Sequence, residues 1–552
     1  MIEWFRQLGQ ASRNLGRIAR QNPVWAVQSL IFAPFRFARH LFGVLMLTIA
    51  VAVVLILGSD ALVWYFGLYR YPMLHGVISA LVLLAILLVP LRALFQPLIL
   101  HYGGQGASDT HGSARFATDA EARDLTGSAG LLIGRDRKSG KLLRYPGPAH
   151  LLTIAPTRSG KGVGTIIPNL LDYPFASVCI DPKGENARIA ARQRGRFGPV
   201  HVLDPFGITG LAPAAYNPLD RIDPTGLDVA DDCMTLADAL VHDADGQQSE
   251  AHWNEEAKAL IAGLLMHIVA HEPAATRTLA TLRDHLTLAP AAFSSLLERM
   301  QAAGGLVARA ANRQLGKSDR EAAGVLSSAQ RHTHFLDSPR MTATLGASDF
   351  RFANLKERPA SIFLVLPPDR LDTYARWLRL MVAQALTELA RAPGRPPWPV
   401  LFLLDEFAAL GHLEPVERAM GLMAGYGIQL WPIVQDIHQL HALYGQRAGT
   451  FLSNAGVLQV FGVNDRESAQ LVSDLLGQET VVFETMSRAL DAQGSGITFG
   501  QQHVGRPLLT PDEVRTLPPD RQLLFLAGQR PVIATKLRYY VDREFAGRFD
   551  TA

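Results

Sequence analysis

The chain has 552 residues, too many for one ordinary core, and length alone suggests three or four units. Hydrophobic residues at 48% against charged residues at 19% exclude a disordered chain and lean toward a membrane component. A formal net charge of +3 gives no global footprint for a nucleic-acid binder, and two cysteines, Cys179 and Cys233, are too few for a disulfide scaffold or a zinc cluster.

Residues 1–40 form a basic leader, with Arg6, Arg13, Arg17, Arg20, Arg36 and Arg39 against the single carboxylate Glu3. An uncharged apolar run follows over 41–57, near the short limit for crossing a bilayer, and a second covers 73–91, broken only by His75, Gly76 and Ser79. Trp64, Tyr65, Tyr69 and Tyr71 crowd the stretch between them, where aromatic side chains suit a bilayer interface. A secretory signal would not be followed by a second apolar run, and a buried hairpin would leave these aromatics unexplained. Two transmembrane helices are therefore expected over 41–58 and 73–91, joined by a periplasmic connector over 59–72. Arginines lie outside the pair, including Arg92, while the connector has only Arg70, offset by Asp60, so both ends are expected in the cytosol.

A linker is expected over 92–112, because Gly103-Gly104-Gln105-Gly106-Ala107-Ser108-Asp109 is flexible by composition. From His111 onward short apolar runs alternate with helical patterns, the mark of an α/β class with a parallel core. Strands are expected over 151–154, 175–180, 361–366, 400–404, 428–434 and 457–463. Between 223 and 340 the strands give way to helices over 229–241, 252–270, 279–285, 291–302 and 319–331, which reads as an all-α insertion. The soluble part then divides into 113–222, 223–340 and 341–552.

Two features of the insertion bear on binding. Asp228, Asp231, Asp232, Asp238, Asp243, Asp245, Glu250, Glu255 and Glu256 occur without one Lys or Arg between Asp228 and Glu256, a solvated acidic face or a dock for basic protein segments. His267 and His271 stand one helical turn apart, as metal ligands can, but no third ligand follows at a telling spacing.

Ala155-Pro156-Thr157-Arg158-Ser159-Gly160-Lys161-Gly162, entered from Leu151-Leu152-Thr153-Ile154, has the layout of a phosphate-binding loop. Backbone N–H groups would surround a phosphate, Lys161 would supply a point charge, and Gly160 would let the backbone approach without a Cβ. Ala155 replaces the first glycine of the common pattern, and Gly162 stands where a Ser or Thr would hold Mg²⁺. The nucleotide is expected against Ala155, Thr157, Arg158, Ser159, Gly160, Lys161, Gly162 and Val163.

Val400-Leu401-Phe402-Leu403-Leu404-Asp405-Glu406 is an apolar strand ending in two adjacent acids. Beside a phosphate loop, the first acid holds Mg²⁺, directly or through water, and the second polarises the attacking water. Gln435, after the strand over 428–434, either senses the terminal phosphate or contacts a helix N-terminus. The catalytic set is then Lys161, Asp405, Glu406 and Gln435, with Asp405 as the metal ligand. Transition-state charge favours an arginine from a neighbouring subunit, and Arg418 and Arg466 are candidates.

The loop from Ala155 to Gly164 with Ile166-Ile167-Pro168 resembles that of type IV secretion coupling proteins of the TraG and VirD type. The likeness extends through His111-Gly112-Ser113-Ala114-Arg115, Asp181-Pro182-Lys183-Gly184-Glu185, Tyr216-Asn217-Pro218, Leu404-Asp405-Glu406-Phe407-Ala408, Gln435-Asp436 with Gln439, and Lys536-Leu537-Arg538-Tyr539-Tyr540. In that family glycine follows the loop lysine, which leaves Mg²⁺ to Asp405 with water or Thr165.

The resemblance implies an α/β fold with a RecA-like P-loop ATPase core, an inserted all-α domain that receives substrates, and an N-terminal two-helix transmembrane anchor. It implies a bacterial inner-membrane ATPase using ATP and Mg²⁺, assembled as a hexameric ring and similar in its motor core to FtsK-like DNA translocases. Its implied partners are further copies of itself, the inner-membrane channel and ATPase components of the secretion system, inner-membrane lipid, and a relaxase-bound single DNA strand passed on in conjugation. The alternative is the same architecture delivering protein effectors.

Overall fold

The computed structural model describes residues 38–102, 111–241, 251–488 and 497–551, with a few positions before 38. Arg6, Arg13, Arg17, Arg20 and Arg36 of the leader, residues 103–109 of the linker, and Asp243, Asp245 and Glu250 lie outside the described residues. The chain forms two compact units, Met1–Ser113 with Thr480–Gly505, and Ala114–Glu479 with Arg506–Ala552.

In the first unit the apolar runs form helices Ala38–Tyr65 and Pro72–Tyr102, packed on each other as a hairpin. Both are longer than the sequence reading: the first continues past residue 58, and the second runs on past Leu91. The first helix continues through Gly58, Ser59 and Asp60 into the apolar residues 61–65, and the second continues through Pro90 and Arg92. The stretches His40–Tyr65 and Pro72–Gln96 are candidate membrane spans, and their apolar side chains are largely exposed. Trp64 and Tyr65 end the first helix and Tyr71 precedes the second, all exposed.

The second unit is organised on an 11-stranded sheet in the order β2-β1-β13-β12-β9-β3-β8-β7-β4-β6-β5. The strands are β1 Leu131–Arg135, β2 Leu142–Tyr145, β3 His150–Ile154, β4 Ser177–Asp181, β5 Val200–Leu203, β6 Ser361–Val365, β7 Val400–Leu404, β8 Ile428–Val434, β9 Ala455–Val460, β12 Arg521–Leu526 and β13 Val532–Thr535; β10 Gln478–Arg488 and β11 Ile497–Pro507 pair with each other as a separate ribbon that falls almost wholly in the first unit. From β9 to β5 every pairing is parallel, so these strands end on one edge. The sheet is mixed overall, because β12, β13, β1 and β2 extend it by antiparallel pairing. Arg135, Arg144 and Arg521 with Gln522 stand in β1, β2 and β12, and β13 has only four residues, so the apolar pattern does not announce them.

Buried strands alternate their side chains between two apolar cores. Leu152, Ile154, Val178, Ile180, Phe402 and Leu404 face one core; Leu151, Cys179, Leu401, Leu403 and Trp431 face the other. The first core runs without a break into helices Val229–Leu240, Ala251–His271, Leu279–Leu286, Pro290–Ala302 and Asp319–Thr333, through Leu236, Leu264, Leu282, Leu296 and Val325. A further helix, Gly305–Leu315, was not expected, its paired glycines at 304 and 305 masking the pattern. Cys179 and Cys233 are free and buried.

Folding dismantles much of the acidic run. Asp232 is buried and paired with Arg391 and with Arg221, which lies 3.3 Å away. Glu256 accepts from Arg313 and Lys317, and these bonds, the Arg313 contact first, pull its pKa down to about 2. Lys258 stands between Glu255 and Asp238. The basic partners come from outside the counted stretch or from its far side, so a charge run read along the chain overstates the acidic surface.

Candidate functional site

The carboxyl ends of β3, β8, β7 and β4 lie side by side on the parallel edge of the sheet. Ile154 pairs with Val434 in register, Leu404 with Pro432 and Ile180 with Leu404. The loop after Ile154, the acids after Leu404, Gln435 after Val434, and Asp181 therefore converge.

The phosphate loop starts on the buried Ala155, whose amide donates to Val434 O at 2.8 Å. A tight turn follows, with Ser159 N donating to Pro156 O at 3.1 Å. Arg158 has φ 64 and Gly160 φ 91. A Cβ at Gly160 would meet nothing within 4 Å, so the left-handed backbone, rather than crowding by the protein, is what demands glycine. The helix opens over Gly162–Ile166 as a π-turn, with Ile167 N donating to Gly162 O, and continues over Ile167–Asp172. Pro168 has no N–H for the carbonyl one turn back, which accounts for the wide first turn. Among the described residues the amides of Gly160, Lys161, Gly162 and Val163 find no backbone acceptor, whereas Gly164 N donates to Gly160 O at 2.8 Å. Four successive N–H groups thus remain for an anion.

Lys161 reaches across to the acidic pair. Its Nζ lies 3.0 Å from Asp405 Oδ1 and 2.9 Å from Glu406 Oε2. Adjacent residues on a strand point to opposite faces, but Glu406 has φ 55, and this left-handed turn swings its side chain round to join that of Asp405. Such a conformation costs a non-glycine residue about 1 kcal/mol and is retained where function needs it. Burial pulls the Lys161 pKa down, yet the two carboxylates outweigh it and the net shift is upward. Burial pushes Asp405 up, against the pull of Lys161.

Gln435 ties the set to the loop: its Nε2 donates to Glu406 Oε1 at 2.7 Å, and Thr157 Oγ1 donates to its Oε1 at 3.1 Å. The helix Ile437–Tyr444 is capped by Asp436, which accepts from Gln439 N, so the side chain of Gln435 is free of a capping role. The structure thus brings Thr157, Lys161, Asp405, Glu406 and Gln435 together. Arg158 and Thr157 are exposed, and Val163 half-buried. Arg418 is exposed and paired with Glu414 at 2.8 Å; Arg466 is exposed at the start of the helix Arg466–Leu476.

Thr165 does not face this site. It is fully buried, and its hydroxyl donates to Gln459 Oε1 at 3.0 Å, in a core network where Thr153 donates to the same oxygen and Gln459 Nε2 donates to Gln522. Its hydroxyl is therefore committed to the core network.

Two residues at the site were not singled out as site residues from sequence. Asp181 ends β4 as Asp405 ends β7, a signal that an acid after a buried strand could have given. Burial pushes its carboxyl up to about 6, the Ala187 amide, which donates to Oδ2 at 2.8 Å, pulls it back, and Asp405 adds to the rise. Lys536 donates from Nζ to Ser159 O at 3.0 Å and lies 4.3 Å from the centre of the Phe461 ring. Burial lowers its pKa to about 8. Beside it, the buried Ser159 hydroxyl finds no hydrogen-bond partner among the described residues.

The family model described as "Type IV secretory system Conjugative DNA transfer" matches residues 118–550. The chain belongs to this family. It is 31% identical over 498 residues to a conjugal transfer protein TraG of Escherichia coli, covering 79% of this chain and 78% of that protein. Protein VirD4 of Rhizobium rhizogenes is 29% identical, over 80% of this coupling protein and 67% of the relative. Among solved structures, the bacterial conjugative coupling protein TrwBdeltaN70 superposes with a TM-score of 0.60 at 20% identity, over 78% of this chain and 96% of that one. TrwB in complex with ADP and Mg²⁺ gives a TM-score of 0.60 at 18% identity, over 77% and 94%. The coupling protein thus has the TrwB fold and acts in conjugative DNA transfer, and its stretches 155–164, 181–185, 404–408 and 435–439 meet on one edge of the sheet.

Proposed function

We propose that this coupling protein binds ATP with Mg²⁺ at residues 155–163 and hydrolyses it to drive a single DNA strand, delivered by its relaxase, into the transfer channel. The observation that carries the reading is Lys161 Nζ between Asp405 and Glu406, with Gln435 holding Glu406 to the loop. The residues suit the nucleotide: four loop amides lack a backbone acceptor, Ser159 Oγ is buried and unpartnered, and the lysine is balanced only by carboxylates whose partners can be exchanged. TrwB in complex with ADP and Mg²⁺ supports the choice of ligand.

Lys161 exchanges its carboxylates for phosphate oxygens and neutralises them. Asp405, released from it, would hold Mg²⁺ directly or through water. The bound metal ion supplies further charge neutralisation at the phosphates. Glu406, fixed through Oε1 by Gln435, turns Oε2 to a water and takes its proton. Either exposed arginine, Arg418 or Arg466 of a neighbouring copy, completes the site in a hexameric ring. The two apolar helices anchor this ring in the inner membrane with both ends in the cytosol, following the arginine bias around them. The helices within 223–340 receive the relaxase, and the channel and ATPase components of the secretion system are the remaining partners.

Phosphate release by the full-length protein in detergent, with and without single-stranded DNA, tests this. Lys161→Ala is expected to remove the activity; wild-type protein no faster than that variant would overturn the hydrolytic reading.

A further inference from the structure

Three side chains meet at one end of the long helix Ala251–His271. His267 lies in its last two turns, Glu272 follows its end, and His285 lies on Leu279–Leu286, which returns after the turn Ala274–Thr276. One ring nitrogen of each histidine and one carboxylate oxygen all lie within 4.8 Å of one another. His285 Nε2 is 3.6 Å from Glu272 Oε1, too long for a hydrogen bond. Among the described residues that nitrogen and His267 Nδ1 find no hydrogen-bond partner, both are buried, and His267 is only 6% exposed. Two buried ring nitrogens without partners are costly unless something meets them, and in the tautomers that leave these nitrogens unprotonated each offers a lone pair.

Among the described residues no other protein group bonds to these nitrogens. Glu272 Oε2 has a weak contact from Thr276 Oγ1 at 3.4 Å, and the Arg277 guanidinium takes the Glu272 backbone carbonyl. The ring of His271, exposed, stands 5.2 Å from that of His267. Arg299 is the nearby charge that opposes a cation, and Glu272 offsets it.

We propose that His267, Glu272 and His285 bind one transition-metal ion of the zinc class, leaving a fourth position to solvent beside His271. Two imidazoles with one carboxylate suit Zn²⁺, Co²⁺ or Ni²⁺, whereas Mg²⁺ and Ca²⁺ take oxygen ligands. Bonds of about 2.0–2.2 Å to a common centre need donors roughly 3.4 Å apart, so the three side chains draw in modestly from their present spacing. The ion would staple the end of one helix to the next across the Ala274–Thr276 turn. The site shares no residue with the Lys161–Asp405 site.

Full-length protein in detergent, stripped with chelator and free of nucleotide, is titrated with Co²⁺. One ion per chain should give the intense visible bands of four-coordinate Co²⁺, displaced by Zn²⁺ and not by Mg²⁺. His285→Ala should weaken Co²⁺ binding by about 100-fold or more, while Asp405→Asn leaves it unchanged. Glu272→Gln, half-buried and isosteric, should lose the bands while melting, without metal, where wild type does. Zn²⁺ should raise the wild-type melting temperature but not that of His285→Ala. Absence of bands in the wild type, or bands that survive in both variants, would overturn the site.

Discussion

Nζ of Lys161 lies 2.9 Å from Oε2 of Glu406, so the candidate phosphate-binding cation and the candidate base hold each other. Arrival of phosphate at the lysine frees the carboxylate for water. Replacing Glu406 by Gln keeps an acceptor for Gln435 Nε2 but removes the base. Glu406→Gln is expected to bind a fluorescent ATP analogue as wild type does while phosphate release falls by about 100-fold or more. Equal loss of binding and turnover would make Glu406 structural.

Gly162 and Thr165 separate two accounts of how the metal is held. A Cβ at Gly162 meets nothing within 4 Å, so a serine fits there. Gly162→Ser should lower the Mg²⁺ concentration needed for half-maximal hydrolysis. Thr165→Val should leave that concentration unchanged and cost about 1–2 kcal/mol of stability, because it strips one donor from the Gln459 network. A metal requirement that moves with Thr165 instead would reverse the assignment.

Gly160→Ala and Gly184→Ala distinguish backbone strain from crowding. Gly160, at φ 91 in open space, should cost about 1–2 kcal/mol from the left-handed conformation alone. Gly184, at φ 67, adds a contact of 2.9 Å with Thr209 Cγ2, so its variant should melt lower than Gly160→Ala. The opposite order of melting temperatures would mean that the loop, not the Asp181 turn, is the tighter structure.

Asp181 predicts a pH signature. Its folded pKa of about 6 lies above the ordinary 3.8, so the fold binds the proton more tightly than the unfolded chain does. The stability this contributes is full below about pH 4 and is lost as pH rises through 6. Asp181→Asn, which stays uncharged and keeps an acceptor for the Ala187 amide, should therefore melt above wild type at pH 8, by about 1–3 kcal/mol. The difference should shrink to about a third by pH 4.5 and vanish near pH 3. A constant difference across that range would exclude the titration of Asp181 as its origin.

The apolar runs made β3, β6, β7 and β8 legible, because a strand buried on both faces needs consecutive apolar residues and little else. The antiparallel strands β1, β2, β12 and β13 were not legible, since their pairing depends on partners far along the chain and on buried amides such as Gln522. Among the site residues, Lys161, Asp405, Glu406 and Gln435 could be found from motif and strand end, whereas Asp181 was passed over and Lys536 sits in no local pattern of phosphate chemistry.

What the sequence determined by itself is local: two apolar helices, a phosphate loop after one strand, paired acids after another. Those signals arise from residues within a turn or a strand of each other, where spacing alone fixes geometry. Tertiary structure decided the rest. It swung Glu406 beside Asp405 through a left-handed turn, and buried Thr165 against Gln459 from β9. It also paired Asp232 and Glu256 with distant basic residues and brought His285 to His267 and Glu272. Each is a meeting of groups separated in the chain, selected by the packing of whole elements, which no spacing along the sequence encodes.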